Sequence, residues 1–200
     1  RLSVGRAVPG AEICVMDDSG KEVPRGESGE LWIRGAMVVP GYWRNAEADA
    51  REFIAGFWRS GDIGKIDVDG YVYVLDRKKD MVNRGGHKIF TAEVESVLTA
   101  VAGVIEAAVV AKPCSILGER VHAVLSVNLG EVNEEDIKAH CAVQLADYQC
   151  PESYTLRDKL LPRNANGKII KRQIKQELGF DASDPVPHFG KLTLNLKDQH

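Results

Sequence analysis

Between Val74 and Glu95 the sequence VLDRKKDMVNRGGHKIFTAEVE gathers groups that could do chemistry. Arg77, Lys78, Lys79 and Arg84 surround two carboxylates, Asp76 and Asp80, and a Gly85-Gly86 pair follows. The alternation of Tyr71-Val72-Tyr73-Val74 stops at this cluster, which predicts the end of a strand there. A strand that runs into charges and then glycines suits a phosphate-bearing ligand, because glycine lets backbone N–H groups approach closely. A solvated charged turn is the other reading of the same residues.

Two further places could carry chemistry. Trp58-Arg59-Ser60-Gly61-Asp62 sets an acid in a glycine turn. A carboxylate can accept hydrogen bonds from both hydroxyls of a ribose, although a Gly-Asp pair also serves as a simple turn or cap. Asn166-Gly167-Lys168 is a hairpin dipeptide followed by a lysine, and a plain turn with a solvated lysine fits it equally. From Arg157 to Lys175 there are seven Lys or Arg residues and one acid, Asp158, a locally positive surface for which phosphate is the natural partner. No GxGxxG, GxSxG or HExxH motif occurs. Gly20-Lys21, Gly167-Lys168 and Gly190-Lys191 all lack the following Ser/Thr of a phosphate loop. His87, directly after the glycine pair, is a lone histidine and weak evidence for acid-base work.

Those groups need a scaffold, and 200 residues can bury a real core in one or two domains. The net charge of −3 argues against a nucleic-acid-binding protein but leaves room for a local basic patch. Cys14, Cys114, Cys141 and Cys150 lack metal-ligand spacing and read as reduced thiols of a cytoplasmic protein. The sequence has no signal peptide and no run long enough for a transmembrane segment. It opens at Arg1 in mid-pattern, which suggests part of a longer chain.

Residues 1 to 79 read as β-rich, a small distorted barrel or antiparallel sheet. Ala11 to Met16 and Glu30 to Gly35 are strands, Glu47 to Phe53 a short helix, and Asp69-Gly70 a type I′ hairpin turn. Residues 80 to 180 read as a compact α+β domain, joined by a flexible point at Lys78-Lys79-Asp80. Thr91 is expected to cap a helix with Glu93 and Glu95 in its first turn. Val94, Val97, Leu98 and Val101 form its apolar stripe. Val104 to Ala111, Val121 to Val127 and Tyr154 to Leu156 are strands. Asn133 and Asp136 open a second helix with Ile137, Cys141 and Leu145 on one side, and Ile170, Ile174 and Leu178 mark a third. In the tail, residues 181 to 200, Leu192, Leu194 and Leu196 alternate as an edge strand would.

Taken in order, these pieces resemble the C-terminal portion of the adenylate-forming superfamily, which includes acyl-CoA synthetases, luciferases and peptide-synthetase adenylation domains. The resemblance covers roughly residues 3 to 178. Gly29-Glu30-Leu31-Trp32-Ile33-Arg34-Gly35 with Gly41-Tyr42-Trp43 is similar to the family's GEL…G…GYW pair. Arg59-Ser60-Gly61-Asp62 resembles its TGD element, and Asp69-Gly70-Tyr71 its DG-(Y/F). Asp76 to Asp80, Gly85 to Ile89 and Ala92 to Glu95 resemble its hinge signature. Gly118-Glu119-Arg120-Val121 resembles its GE-x-V element, and Leu161 to Lys168 its catalytic-lysine loop. Arg163-Asn164 departs from that loop, where many members carry a nearby threonine. The family's Ser/Thr/Gly-rich phosphate loop and its magnesium-binding glutamate are absent from these residues.

The resemblance implies a two-step reaction on a carboxylic acid substrate. The acid attacks the α-phosphate of ATP to give acyl-AMP, and a thiol then takes the acyl group. That thiol would be CoA, with carrier-protein pantetheine as the alternative acceptor. It implies that Asp62 holds the ribose hydroxyls, Arg77 supports ribose and phosphate, and Lys168 is the catalytic cation. Lys79 matches the hinge about which the small domain turns. Gly85, Gly86, His87 and Lys88 would lie near the acyl-AMP and the pantetheine path, where a side chain at Gly86 would obstruct the approach. Mg2+ would be held by a ligand outside this chain, in an N-terminal domain that these residues lack, and this part alone would be inactive.

Overall fold

A computed structural model describes residues 3–128 and 130–180. The alternating leucines Leu192, Leu194 and Leu196 lie outside the described residues. The first half contains β1 (Gly5–Arg6), β2 (Ala11–Met16), β3 (Ser28–Gly35), α1 (Ala46–Glu52), β4 (Phe53–Ile54), β5 (Phe57–Ile66) and β6 (Tyr71–Arg77). They form an antiparallel sheet in the order β1-β6-β5-β3-β2, with β4 on β5. The sheet curls as a half-barrel, with β1 and β2 at its two edges. Alternation along the strands sends Val15, Leu31, Ile66 and Val72 into one cluster and Cys14, Trp32 and Phe57 into another.

Strand β6 does not end at Val74, as the alternation predicts, but continues to Arg77. Its charged residues still have ladder partners on β5, with Asp76 opposite Ile63 and Arg77 opposite Asp62. Backbone pairing therefore overrides the change in side-chain polarity. The β5–β6 hairpin forms as expected, but its turn is not type I′. The Asp67 carboxylate accepts hydrogen bonds from the N–H groups of Asp69 (3.0 Å) and Tyr71 (2.8 Å), building a three-residue loop in which Gly70 takes φ 84°. The two-residue turn with positive φ at both positions falls at Gly85-Gly86 instead, where φ is 58° and 91° and Arg84 pairs with His87.

After a turn at Lys78–Asp80 the chain forms β7 (Val82–Arg84), β8 (His87–Ile89), α2 (Thr91–Thr99), β9 (Val104–Cys114) and β10 (Gly118–Val127). Next come α3 (Glu134–Gln144), β11 (Ser153–Arg157) and α4 (Lys171–Glu177). The second sheet runs β11-β10-β7-β8 with β9 on β10, and β11 lies parallel to β10. Helices cover both faces, so β9 is apolar at successive positions rather than alternating. Ala107, Val109 and Ala111 meet Val94, Leu98, Ile137 and Cys141 from α2 and α3. Ala108 and Val110 meet Leu161 and Ile174, the latter from α4.

Of the two predicted caps, one forms as expected and one does not. Asn133 caps α3 as predicted, its Oδ1 accepting from the Asp136 N–H at 2.9 Å. Thr91 does not cap α2; it is the first helical residue, after Phe90, which supplies no side-chain bond. The cap comes from Asp76 on β6, whose carboxylate accepts from both the Thr91 N–H and Oγ1. Glu95 does not face the helix dipole either. It turns inward, accepts from the Val109 N–H at 2.8 Å and pairs with Lys171 at 2.7 Å.

Candidate active site

Asp62 lies inside β5 and not in a terminal turn. The ladder between β3 and β5 shifts register across Glu30 to Trp32, and Gly61 takes φ 70°, so Ser60-Gly61-Asp62 is a bulge within a strand. Bulges re-aim side chains without ending the sheet. The Ser60 hydroxyl fixes this one, donating to the Leu31 carbonyl (2.8 Å) and accepting from the Asp62 N–H (3.0 Å). Asp62 Oδ1 pairs with Arg77 Nε at 2.7 Å across the ladder. Burial pushes the Asp62 carboxyl above its usual range, and the charges of Arg77 and Lys168 pull it back in part.

Lys168 lines the same cleft as Arg77, the ion-pair partner of Asp62, although 106 positions separate Lys168 from Asp62 in the chain. The loop that carries it is held by its own polar groups. Asn164 Oδ1 accepts from the N–H groups of Asn166 (3.0 Å) and Lys168 (2.9 Å), and Gly167 takes φ 76°. The Arg163 guanidinium donates to the Gly167 carbonyl and pairs with Glu106 at 2.5 Å. Arg163 and Asn164, the pair that departs from the family pattern, thus build the turn. Polar residues flanking a hairpin glycine were the available signal for this.

Arg77, Lys79 and Lys168 line one cleft of about 610 Å³. A neighbouring cleft of about 500 Å³ is lined by Tyr42, Arg59, Gly61 and Arg77, among others. Its floor includes Glu30, which accepts from Arg59 (2.9 Å) and Lys78 (3.1 Å). Burial opposes ionisation of Glu30, but these two bonds outweigh it and hold the carboxyl below its usual range. Glu30 sits in the GEL pattern without having been singled out as a site residue.

The other expected residues form a separate group. The Gly85 N–H donates to the Leu117 carbonyl at 2.9 Å. The His87 ring stacks on Tyr148 at 4.6 Å, and Lys88 pairs with Asp18 at 2.7 Å. A Cβ built at Gly86 meets nothing within 4 Å, so in this arrangement its positive φ, not crowding, is what calls for glycine.

Asp62, Arg77 and Lys168 offer an acceptor and two cations on adjoining surfaces, a donor set that fits a ribose joined to a phosphate. Among the described residues no group of three His, Cys, Asp or Glu is arranged to hold a metal ion.

A family model described as the AMP-binding enzyme C-terminal domain matches residues 93–168, and one described as AMP-binding enzyme matches residues 1–43. The chain belongs to the AMP-binding enzyme family. It is 35% identical over 175 residues to the long-chain-fatty-acid–CoA ligase of Yersinia pestis, covering 88% of this chain and 31% of that one. It is 37% identical to the 2-succinylbenzoate–CoA ligase of Geobacillus kaustophilus, covering 87% and 35%. The solved structure of ATP-bound MatB from Rhodopseudomonas palustris matches with a TM-score of 0.80 and 38% identity, over 90% of this chain and 36% of that one. The chain spans about a third of the length of these relatives.

Proposed function

We propose that this chain is the rear part of an AMP-forming acid–thiol ligase, with CoA as the acceptor, and that the described arrangement is the one that serves adenylation. The observation that carries the reading is the convergence of Asp62, Arg77 and Lys168 from a bulged strand, the next strand and a distant loop. Relatives named as CoA ligases at 35% and 37% identity support CoA over a carrier-protein pantetheine. The ATP-bound MatB structure and a Bacillus subtilis MenE structure with ATP and magnesium support the nucleotide and Mg2+.

In this reading Asp62 accepts from the ribose hydroxyls with the oxygen that Arg77 leaves free. Arg77 and Lys168 face the α-phosphate. As the substrate carboxylate attacks phosphorus and the bond to pyrophosphate breaks, negative charge gathers there, and an ammonium facing it lowers its energy. Mg2+ would neutralise phosphate oxygens from ligands elsewhere in the enzyme. Residues 80 to 180 then turn about Lys79. That motion takes Lys168 out of the site and brings in the Gly85–Lys88 hairpin, where the thiol attacks the acyl carbonyl and AMP leaves. The turn must break the Lys88–Asp18 pair and the Asp76 cap on Thr91, both of which join the two parts.

These 200 residues carry no phosphate loop, so by themselves they should bind AMP without forming acyl-AMP. NMR titration of the chain with AMP should move the amide signals of Gly61, Asp62 and Lys78. Asp62→Asn should weaken binding about tenfold, the value of one or two hydrogen bonds to a charged acceptor. Binding unaffected by that change would refute the assignment of Asp62.

A further inference from the structure

The cleft beside Lys168 holds charge that the fold leaves unneutralised. Six cations line it (Arg77, Lys79, Lys168, Lys171, Arg172 and Lys175) against one carboxylate, Asp80. Arg77 is taken by Asp62 and Lys171 by Glu95. Among the described residues Lys79, Lys168, Arg172 and Lys175 form no ion pair within 4.0 Å and no side-chain hydrogen bond. Set against Asp80, those four leave an excess of three positive charges, in a chain whose net charge is −3. Like charges lining one concavity repel each other and focus the field on an anion.

Helical spacing keeps them together. Arg172 and Lys175 are three apart on α4 and share one face, and the loop just before the helix sets Lys168 on the same cleft. Ile174 points the other way, is 0% exposed, and anchors α4 against Ala108, Val110 and Val124. The basic face cannot roll away from the cleft without exposing Ile174. We infer that Arg172 and Lys175 extend the Lys168 site into a subsite for a diphosphate group, the pyrophosphate end of the nucleotide. This rests on the nucleotide reading above. Three residues of helix rise about 4.5 Å, a spacing that two linked phosphates bridge more readily than one. The subsite would hold pyrophosphate oxygens while Lys168 and Arg77 face the α-phosphate.

The diphosphate of CoA has the same chemistry, so the test separates the two. The 200-residue chain is titrated calorimetrically, at constant ionic strength, with pyrophosphate, ATP, AMP, CoA and sulfate. Pyrophosphate should bind more tightly than sulfate, and ATP more tightly than AMP. The double substitution Arg172→Ala/Lys175→Ala should weaken pyrophosphate and ATP by at least about tenfold, as expected for lost charge-assisted contacts, and leave AMP within about twofold. Arg25→Ala, a charge change on the β2–β3 loop, should alter none of them. Arg172 is exposed and Lys175 half-buried, and circular dichroism confirms folding of the variants before titration. Pyrophosphate binding no tighter than sulfate, or untouched by the double substitution, overturns the subsite. A loss confined to CoA overturns its assignment to the nucleotide. If pyrophosphate needs Arg172 and Lys175 while AMP does not bind, the subsite stands and the ribose reading of Asp62 fails. AMP binding at Asp62 without pyrophosphate binding has the reverse meaning.

Discussion

Replacing Lys171 with methionine keeps the aliphatic stem and removes one charge from a nearly buried cluster. The Lys171 ammonium pairs with Glu95 Oε1 at 2.7 Å and donates to Thr91 Oγ1 at 2.7 Å, and Thr91 in turn bonds the Asp76 carboxylate. The side chains of Lys171 and Glu95 are 15% and 21% exposed. Breaking a fully buried pair from one side costs about 3–5 kcal/mol. With this residual exposure, and with the Val109 N–H still donating to Glu95, the loss should be about 2–3 kcal/mol. For a chain of this size that is a fall in Tm of about 4–12 °C. The pH dependence is the sharper part. Burial raises the Glu95 carboxyl above its usual range, against the pull of Lys171 and the Val109 N–H. A carboxyl raised on folding contributes stability at pH values below its unfolded pKa, and that contribution is lost as pH rises through the folded value. Removing Lys171 raises the folded value further. The deficit of the variant should therefore be largest at neutral pH and shrink on acidification towards pH 5. Urea unfolding of both proteins at pH 5 and 7.5 measures it. A deficit below about 1 kcal/mol at pH 7.5, or one that grows at pH 5, would refute the reasoning.

Two further outcomes follow from buried or activated groups. His122, 4% exposed, bonds Ser153 Oγ (2.7 Å) and Thr155 Oγ1 (3.0 Å), and burial, with Lys112 and Arg157 nearby, lowers its pKa to about 4. The unfolded chain takes up that proton first, so stability should fall by about 2–3 kcal/mol between roughly pH 6.5 and pH 4. His122→Gln, which cannot titrate, should flatten that part of the pH profile in denaturant unfolding. Cys114 is lowered to about 7 by the backbone N–H groups of Leu117 and Ile116 and by Arg120, whereas burial raises Cys14 to about 11. At pH 7.5 iodoacetamide should label Cys114 at least about tenfold faster than Cys14, read by peptide mass spectrometry, and equal rates would contradict the assignment.

Much of the scaffold is legible in the sequence because periodicity dominates it. The stripe Val94, Val97, Leu98 and the set Ile137, Cys141, Leu145 become faces packed on the second sheet. What the sequence hides are the long-range bonds. A capping rule looks three residues away and assigns Thr91; the carboxylate that caps α2 is Asp76, fifteen residues earlier on another sheet. Local polarity ends β6 at Val74, yet cross-strand partners carry it to Arg77. The hairpin at Asp69-Gly70 is legible as a dipeptide, but side-chain bonds from Asp67 decide its form, and the Gly85-Gly86 pair, which reads as a ligand contact, is a two-residue turn in the structure. At the site, Asp62, Arg77 and Lys168 came forward through motif resemblance. Their convergence depends on a bulge and on Arg163, Asn164 and Glu106, for which no single stretch of sequence gave a reason.

The central claim is that Lys168 and the Gly85-Gly86 hairpin lie on different working faces of one turning domain. It is tested most directly in the full-length enzyme by following both half-reactions for Lys168→Ala and Gly86→Leu. The account predicts that Lys168→Ala slows pyrophosphate release about 10²–10³-fold and largely spares thioester formation from supplied acyl-AMP. Gly86→Leu should leave pyrophosphate release nearly intact and slow transfer to the thiol. Equal damage to both steps by Lys168→Ala, or loss of adenylation first in Gly86→Leu, would contradict the two-face account.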